Sequence, residues 1–315
     1  MAQTPSQSHW SNKKTTVQVS SPRLSIGLPV YNASNYIREA VGSILNQSFR
    51  DFELIISDNA STDETAEICQ EYAKNDSRVR YYRNEINIGA ARNYNRVFDL
   101  SSTEYFQWAA HDDVYSPNFL KSCIEVLDRD PSIVLCHATP ITINEHGEEL
   151  KDYMRERNYF KLKNTGSPSP HKRFYDLACR RHLCFPIFGV IRAEVLHKTQ
   201  GMGEYIGADR NLLAEIALLG RFHEVPETIY FRRHMEQYCA LQDLSKQAAW
   251  IDPESKDTAL ARVRTNFVEY IRSIRRAPLS RRERLLCYLI MCVWSFRRRK
   301  KLFREILVGS RSSTK

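Results

Sequence analysis

The chain has 315 residues, 42% of them hydrophobic, which is enough for one large domain with a filled core and excludes a disordered chain. Its formal charge of +9 is local: fourteen of the 46 basic residues and only three of the 37 acids fall between Arg262 and Glu305, so the rest of the chain is close to neutral. Eight scattered cysteines without a Cys-x-x-Cys pair argue against a disulfide framework or a zinc site and for reduced thiols in a cytoplasmic protein.

The first 22 residues are polar, lack the apolar core of a signal peptide and are expected to be flexible. From Leu24 onward short apolar runs alternate with helical patterns, the order of a parallel α/β sheet with crossover helices. Leu24 to Val30 is the first expected strand, followed by a helix burying Ile37, Val41, Ile44 and Leu45. Phe52 to Ser57 is the second, and its helix buries Ala66, Cys69 and Ala73. A third strand, Val79 to Tyr82, leads into a helix near Ala90 to Leu100. Tyr105 to Ala110 is the fourth, and Ser116-Pro117 opens a helix with a stripe of Leu120, Cys123, Ile124 and Leu127. A strand from Ile133 to Ile143 follows, then a polar loop from Lys151 to His171 expected to be mobile and to act as a lid. An apolar Phe185 to Ile191 and a helix with Leu212, Leu213, Ile216 and Ala217 complete the regular part, and beyond Leu241 the chain is helical and basic.

Ligands of open α/β sheets bind at the carboxyl ends of the strands. The strand ends here carry Pro29-Val30-Tyr31-Asn32, Asp58-Asn59-Ala60-Ser61-Thr62-Asp63, Asn87-Ile88-Gly89 with Arg92-Asn93, and His111-Asp112-Asp113. A tyrosine face stacks on a nucleobase, a carboxylate accepts its ring N–H, an arginine neutralises phosphate, and adjacent carboxylates offer hard oxygens to Mg²⁺ or Mn²⁺. Each feature has a plainer reading. Ser61 and Glu64 have capping-box spacing, Asp112 and Asp113 suit a helix N-terminus, Asp209 is a possible N-cap, and His234 alone is usually structural. Donor-binding chemistry at four successive strand ends favours one nucleotide diphosphate site.

These motifs resemble family 2 glycosyltransferases of the GT-A fold over about Leu24 to Tyr238. The resemblance implies a Rossmann-like, mostly parallel sheet flanked by helices, with a catalytic domain at 23–240 divided near 145 into nucleotide-sugar and acceptor halves, and a helical basic region at 241–315. It implies donor contacts from Pro29, Tyr31, Asn32, Asp58, Asn59, Ser61, Asn87, Gly89, Arg92, His111, Asp112 and Asp113. Asp112 and His234, the latter in Tyr230-Phe231-Arg232-Arg233-His234, would hold Mn²⁺ or Mg²⁺, and Asp209 would be the catalytic base. Two departures stand out: Ala110 replaces the first acid of Asp-x-Asp, and Ala208-Asp209 stands where Glu-Asp is common.

The implied enzyme is an inverting, metal-dependent hexosyltransferase using a nucleotide-sugar, UDP by default, with a glycan or lipid-linked acceptor in cell-surface polysaccharide synthesis. The rivals are an inactive GT-A scaffold, given Ala110 and Ala208, and a nucleic-acid binder, which the absence of RNA-binding motifs and the acidic cleft disfavour, so no nucleic acid is expected. In the tail, Leu285 to Trp294 is about half the length of a membrane-spanning helix. Its basic flanks suit the anionic inner face of a membrane, and the alternative is a helix packed on the catalytic domain.

Overall fold

The computed structural model describes residues 21–151, 162–235, 244–253 and 262–312. Most of the expected N-terminal segment and half of the expected lid loop lie outside the described residues.

One eight-stranded sheet organises the chain. Its strands are β1 (Leu24–Val30), β2 (Phe52–Asp58), β3 (Val79–Arg83), β4 (Tyr105–Trp108), β5 (Val114–Tyr115), β6 (Ile133–Ile143), β7 (Val190–Arg192) and β8 (Arg221–Arg233), in the order β3-β2-β1-β4-β7-β6-β8-β5. The first four are parallel, β6 and β8 are parallel, and β7 runs antiparallel to β4 and β6. All seven residues of β1 and of β2 are buried, because helices cover both faces, and this is why they read as mainly apolar runs without alternation.

The helices on one face are α1 (Ile37–Leu45), α2 (Thr65–Asn75) and α4 (Phe119–Arg129). Buried Ile37, Ala40, Val41 and Ile44 follow the helical period in α1, and α4 buries the expected Leu120, Cys123, Ile124 and Leu127. In α2 the buried residues are Thr65, Ile68 and Cys69, one position round from the expected stripe. Ser116 does not cap α4, whose first residue is Phe119; its hydroxyl accepts the Ile229 N–H at 3.0 Å and ties the turn to β8.

Against the other face pack α3 (Ala90–Asp99), α5 (Pro170–Cys179), α6 (Ala193–Leu196), α7 (Ala208–Leu219), α9 (Arg262–Arg276) and α10 (Arg281–Ser312), while the short α8 (Leu244–Ile251) lies beside α3. Within the apolar stretch from Phe185 to Ile191, Phe185–Phe188 is a 3-10 turn with Pro186 in its first turn, and β7 begins only at Val190. Tyr270, Ile274, Cys287, Met291 and Trp294 are buried in the same cluster as Phe106, Trp108 and Leu213, so the basic helices share the core of the sheet. Glu215 on α7 receives two hydrogen bonds from Arg276 on α9, at 2.8 and 3.0 Å. The seven described cysteines are free thiols.

Candidate active site at the strand ends

The strand order reverses between β1 and β4, and the crevice beyond the carboxyl ends of these two strands is where an open α/β sheet accepts a ligand. Pairing between β1 and β4 stops at Gly27–Trp108, so Pro29 lies beyond the last rung on that side and its missing N–H interrupts no ladder there. Tyr31 follows and is 39% exposed.

The loops after β1 and β2 are stapled together. Asn32 stands at φ 49°, a conformation asparagine tolerates, and its backbone N–H donates to Ser61 Oγ at 3.0 Å. Its side-chain oxygen accepts the Thr62 N–H at 2.8 Å. Asn59 links onward: its amide nitrogen donates to Asn87 Oδ1 at 2.8 Å, and its oxygen accepts from Asn84 Nδ2 and the Ile88 N–H, both at 2.9 Å. Asn32, Asn59, Ser61 and Asn87 therefore bond chiefly to one another's loops and fix their shape.

Asp58 is fully buried at the end of β2. Its Oδ1 accepts the Ser61 N–H at 2.8 Å, and its Oδ2 accepts the Tyr81 hydroxyl at 2.8 Å and Arg83 Nη1 at 2.6 Å. Neither Tyr81 nor Arg83 was expected from the sequence, although Arg83 is the register partner of Asp58 and ends its strand as Asp58 does. Gly89, at φ 84°, begins α3; a Cβ there would stand 2.5 Å from the Ile251 carbonyl oxygen, so the approach of α8 admits only glycine. Arg92, one turn on, pairs with Glu204 at 3.0 Å.

Beyond β4 the chain turns through half-buried His111 into Asp112 and Asp113, both buried. Tyr230 donates its hydroxyl to Asp113 Oδ2, and the Arg233 N–H donates to Oδ1 at 2.8 Å. Burial first, and then the Asp112 charge, hold the Asp113 carboxyl well above the ordinary carboxylate range, against the lowering effect of those bonds. Arg233 completes the turn: Nε donates to the Asp112 carbonyl at 3.0 Å and Nη2 to Glu39 at 2.6 Å, with the guanidinium 4.6 Å from the Tyr36 ring centroid.

The Asp112 carboxylate makes no hydrogen bond or ion pair among the described residues, where no three His, Cys, Asp or Glu side chains converge as a metal cage. An open carboxylate fits Mg²⁺ or Mn²⁺, which is commonly held by one or two protein oxygens while substrate phosphates supply others. His234 follows Arg233 directly, its N–H donating to the Ile143 carbonyl at 2.8 Å and its Nδ1 lying 3.3 Å from Arg232 Nη1.

Asp209 lies in the first turn of α7, after Gly207 at φ 92°, where the helix dipole favours an anion. Its Oδ1 accepts the Arg210 N–H at 2.8 Å. Arg210 in turn anchors the preceding loop, donating to the Arg180 and His182 carbonyls at 2.9 and 2.7 Å. Asp112, Asp113 and Asp209 all act electrostatically on the Tyr94 hydroxyl, which burial and these three charges push far above its ordinary range. Trp108 belongs to the core: it is 1% exposed and donates its indole N–H to the Tyr94 carbonyl at 2.9 Å.

Comparisons with known proteins agree with this architecture. Over 143 residues the chain is 36% identical to an uncharacterized glycosyltransferase of Rickettsia typhi, covering 44% of this chain and 41% of the relative. It is 27% identical over 213 residues to chondroitin synthase of Escherichia coli, covering 67% of this chain and 29% of the relative, so it spans less than half the length of either. Among solved structures, S. aureus TarS 1–349 superposes with a TM-score of 0.59 at 18% identity, covering 87% of this chain and 72% of that one. Mannosyltransferase PcManGT from Pyrobaculum calidifontis, in complex with GDP-Man and Mn²⁺, gives 0.54 at 14% identity, covering 94% and 76%. At such identities the likeness is one of fold, and that fold is the GT-A arrangement of a curled, mostly parallel sheet flanked by helices. The sequence signature described as glycosyl transferase family 2 matches residues 25–187, just over half of the chain and the span that carries the crevice from β1 to the turn before β7. With strand ends, sheet order and signature in agreement, this chain is a member of glycosyl transferase family 2.

Proposed function

We propose that this glycosyltransferase moves a sugar, with inversion, from a nucleotide diphosphate donor to an acceptor hydroxyl. The carrying observation is the buried Asp112, whose carboxylate has no hydrogen-bond or ion-pair partner among the described residues and which follows β4 at the switch point of the sheet. Tyr31 stacks on the nucleobase and Asp58, held by Tyr81 and Arg83, faces its ring edge. Asn32, Asn59, Ser61, Asn87 and Gly89 shape that half of the site, with Arg92 and His111 beside the phosphates. Asp209 takes the proton from the acceptor hydroxyl, which attacks the anomeric carbon opposite the leaving diphosphate; an acid–base group so placed contributes about 10²–10⁴-fold.

Asp112 and His234 would hold Mn²⁺ or Mg²⁺, which supplies neutralisation of charge on the leaving diphosphate. A TarS crystal structure holds UDP, another holds UDP-GlcNAc, and the mannosyltransferase structure is a complex with GDP-Man, which supports a nucleotide-sugar and makes a UDP-sugar the first donor to test. A glycan or lipid-linked acceptor of cell-surface polysaccharide synthesis at the inner membrane face completes the reading.

Calorimetry with UDP, dTDP and GDP, with Mn²⁺ and with chelator, tests it on the wild type and Asp112→Ala. Selective binding that needs the metal and is lost in Asp112→Ala is expected. Ala110, standing where the first acid of the motif is usual, favours a second reading as an inactive scaffold. Failure of folded protein to bind any of the three nucleotides would establish that reading instead.

A further inference from the structure

The last helix, α10, has two apolar faces where its composition suggests one. Cys287, Met291 and Trp294 turn inward, 0–3% exposed, and the Trp294 indole donates to the Ala178 carbonyl at 3.1 Å. On the opposite side Leu285, Leu289, Val293, Phe296 and Phe303 are 45–66% exposed, with Cys292 exposed among them. At about 100° per residue these six fall within a sector of roughly 100°, a continuous stripe along the outer face. Packing on the domain and presenting apolar surface outward are therefore both true of this helix.

Charge is distributed around that stripe with one sign. Arg281 and Arg282 at one end and Arg299 and Lys300 at the other are exposed, joined by Arg297, Lys301 and Arg304. The two acids of the helix are turned to the domain: Glu283 accepts the His171 N–H and lies 2.8 Å from its Nδ1, and Glu305 accepts the N–H groups of Val263 and Arg264 at 3.0 and 2.9 Å. The outward face is apolar and cationic with no carboxylate in it.

We propose that this face docks flat on a bilayer containing anionic lipid, with Leu285, Leu289, Val293, Phe296 and Phe303 entering the headgroup boundary and the terminal Arg and Lys residues meeting lipid phosphates. A second copy of the chain is a poor occupant, since pairing two such faces brings cation against cation with no acid to relieve them. A membrane surface supplies both complements, hydrocarbon for the stripe and negative charge for its ends. No described helix is long and apolar enough to cross a membrane, so the helix lies along the surface. The inference stands apart from the donor and the chemistry.

The test is flotation of the full chain with phosphatidylcholine vesicles, alone or with about 30% phosphatidylglycerol, at about 0.05 and 0.5 M salt. Leu289→Ser/Phe296→Ser and Arg299→Glu/Lys300→Glu are compared with wild type; all four positions are exposed, and circular dichroism verifies that each variant folds. Binding is expected on anionic vesicles only, weakened at least about tenfold by the higher salt and by either double substitution. Absence of binding to anionic vesicles at low salt by folded protein overturns the proposal. So does equal binding by wild type and both variants. A concentration-dependent dimer that Leu289→Ser/Phe296→Ser abolishes, without vesicle binding, would assign the face to self-association.

Discussion

Tyr230 and Asp113 meet across 117 positions of sequence, the phenol hydroxyl of one donating to the buried carboxyl of the other. Three residues further along β8, Arg233 grips the same turn through its backbone and guanidinium. The Asp112–Asp113 turn is therefore set by the end of β8 as well as by the strand that precedes it.

Tyr230→Phe keeps the ring and removes this donor. Both groups are buried, so we expect a loss of about 1 kcal/mol in urea unfolding, with weaker metal-dependent nucleotide binding because the turn loosens. Unchanged nucleotide affinity would show that the backbone bond from Arg233 suffices to place Asp112.

Asp209→Asn keeps the shape of the first turn of α7 while removing the base. Turnover should fall by about 10²–10⁴-fold, and donor affinity measured by calorimetry should stay within about twofold of wild type. Equal loss of both would mean that Asp209 binds the donor.

In Asp58→Asn the amide offers an N–H where Tyr81 and Arg83 both donate, or gives up the Ser61 contact if it flips. Either way a donor to this buried side chain loses its partner, and a cost of about 1–2 kcal/mol is expected in denaturant unfolding. Nucleotide affinity should drop with it; a stable variant with normal affinity would remove Asp58 from the nucleobase site.

His182 provides a pH test. It is 2% exposed, and burial, followed by the nearby Arg210 charge, holds it below the ordinary value of 6.5. The unfolded chain therefore takes up a proton that the folded chain resists, so the His182 contribution to stability is present above pH 6.5 and is lost as pH falls through the lowered value. Urea unfolding between about pH 5 and 8 should show this decline, and His182→Gln should flatten it.

Much of the first half was readable because parallel strands buried on both faces leave mainly apolar runs, and their carboxyl ends gather in one crevice. Asp58 and Asp112 are candidates on that logic. The same logic applied to β3 would have found Arg83, but its strand alternates buried Val79 with exposed Arg80 and was read only as far as Tyr82. The strand β8 was hidden by its own bulge: pairing with β6 jumps from Val225 to Ile229, and Pro226 interrupts the period. The inward face of α10 was masked by arginines, although Cys287, Met291 and Trp294 have ordinary i, i+4, i+7 spacing.

The contact between α9 and the loop before α7 limits how this enzyme is recombined with its relatives. Asn266 donates to the Ile206 carbonyl at 2.8 Å and lies where any side chain on Gly207 would reach, 2.8 Å from its Cβ position. The loop that leads into Asp209 is thus moulded on a helix more than fifty residues downstream. A chimaera that exchanges the segment containing α7 has to carry residues 262–276 with it, or place its new loop against a foreign template.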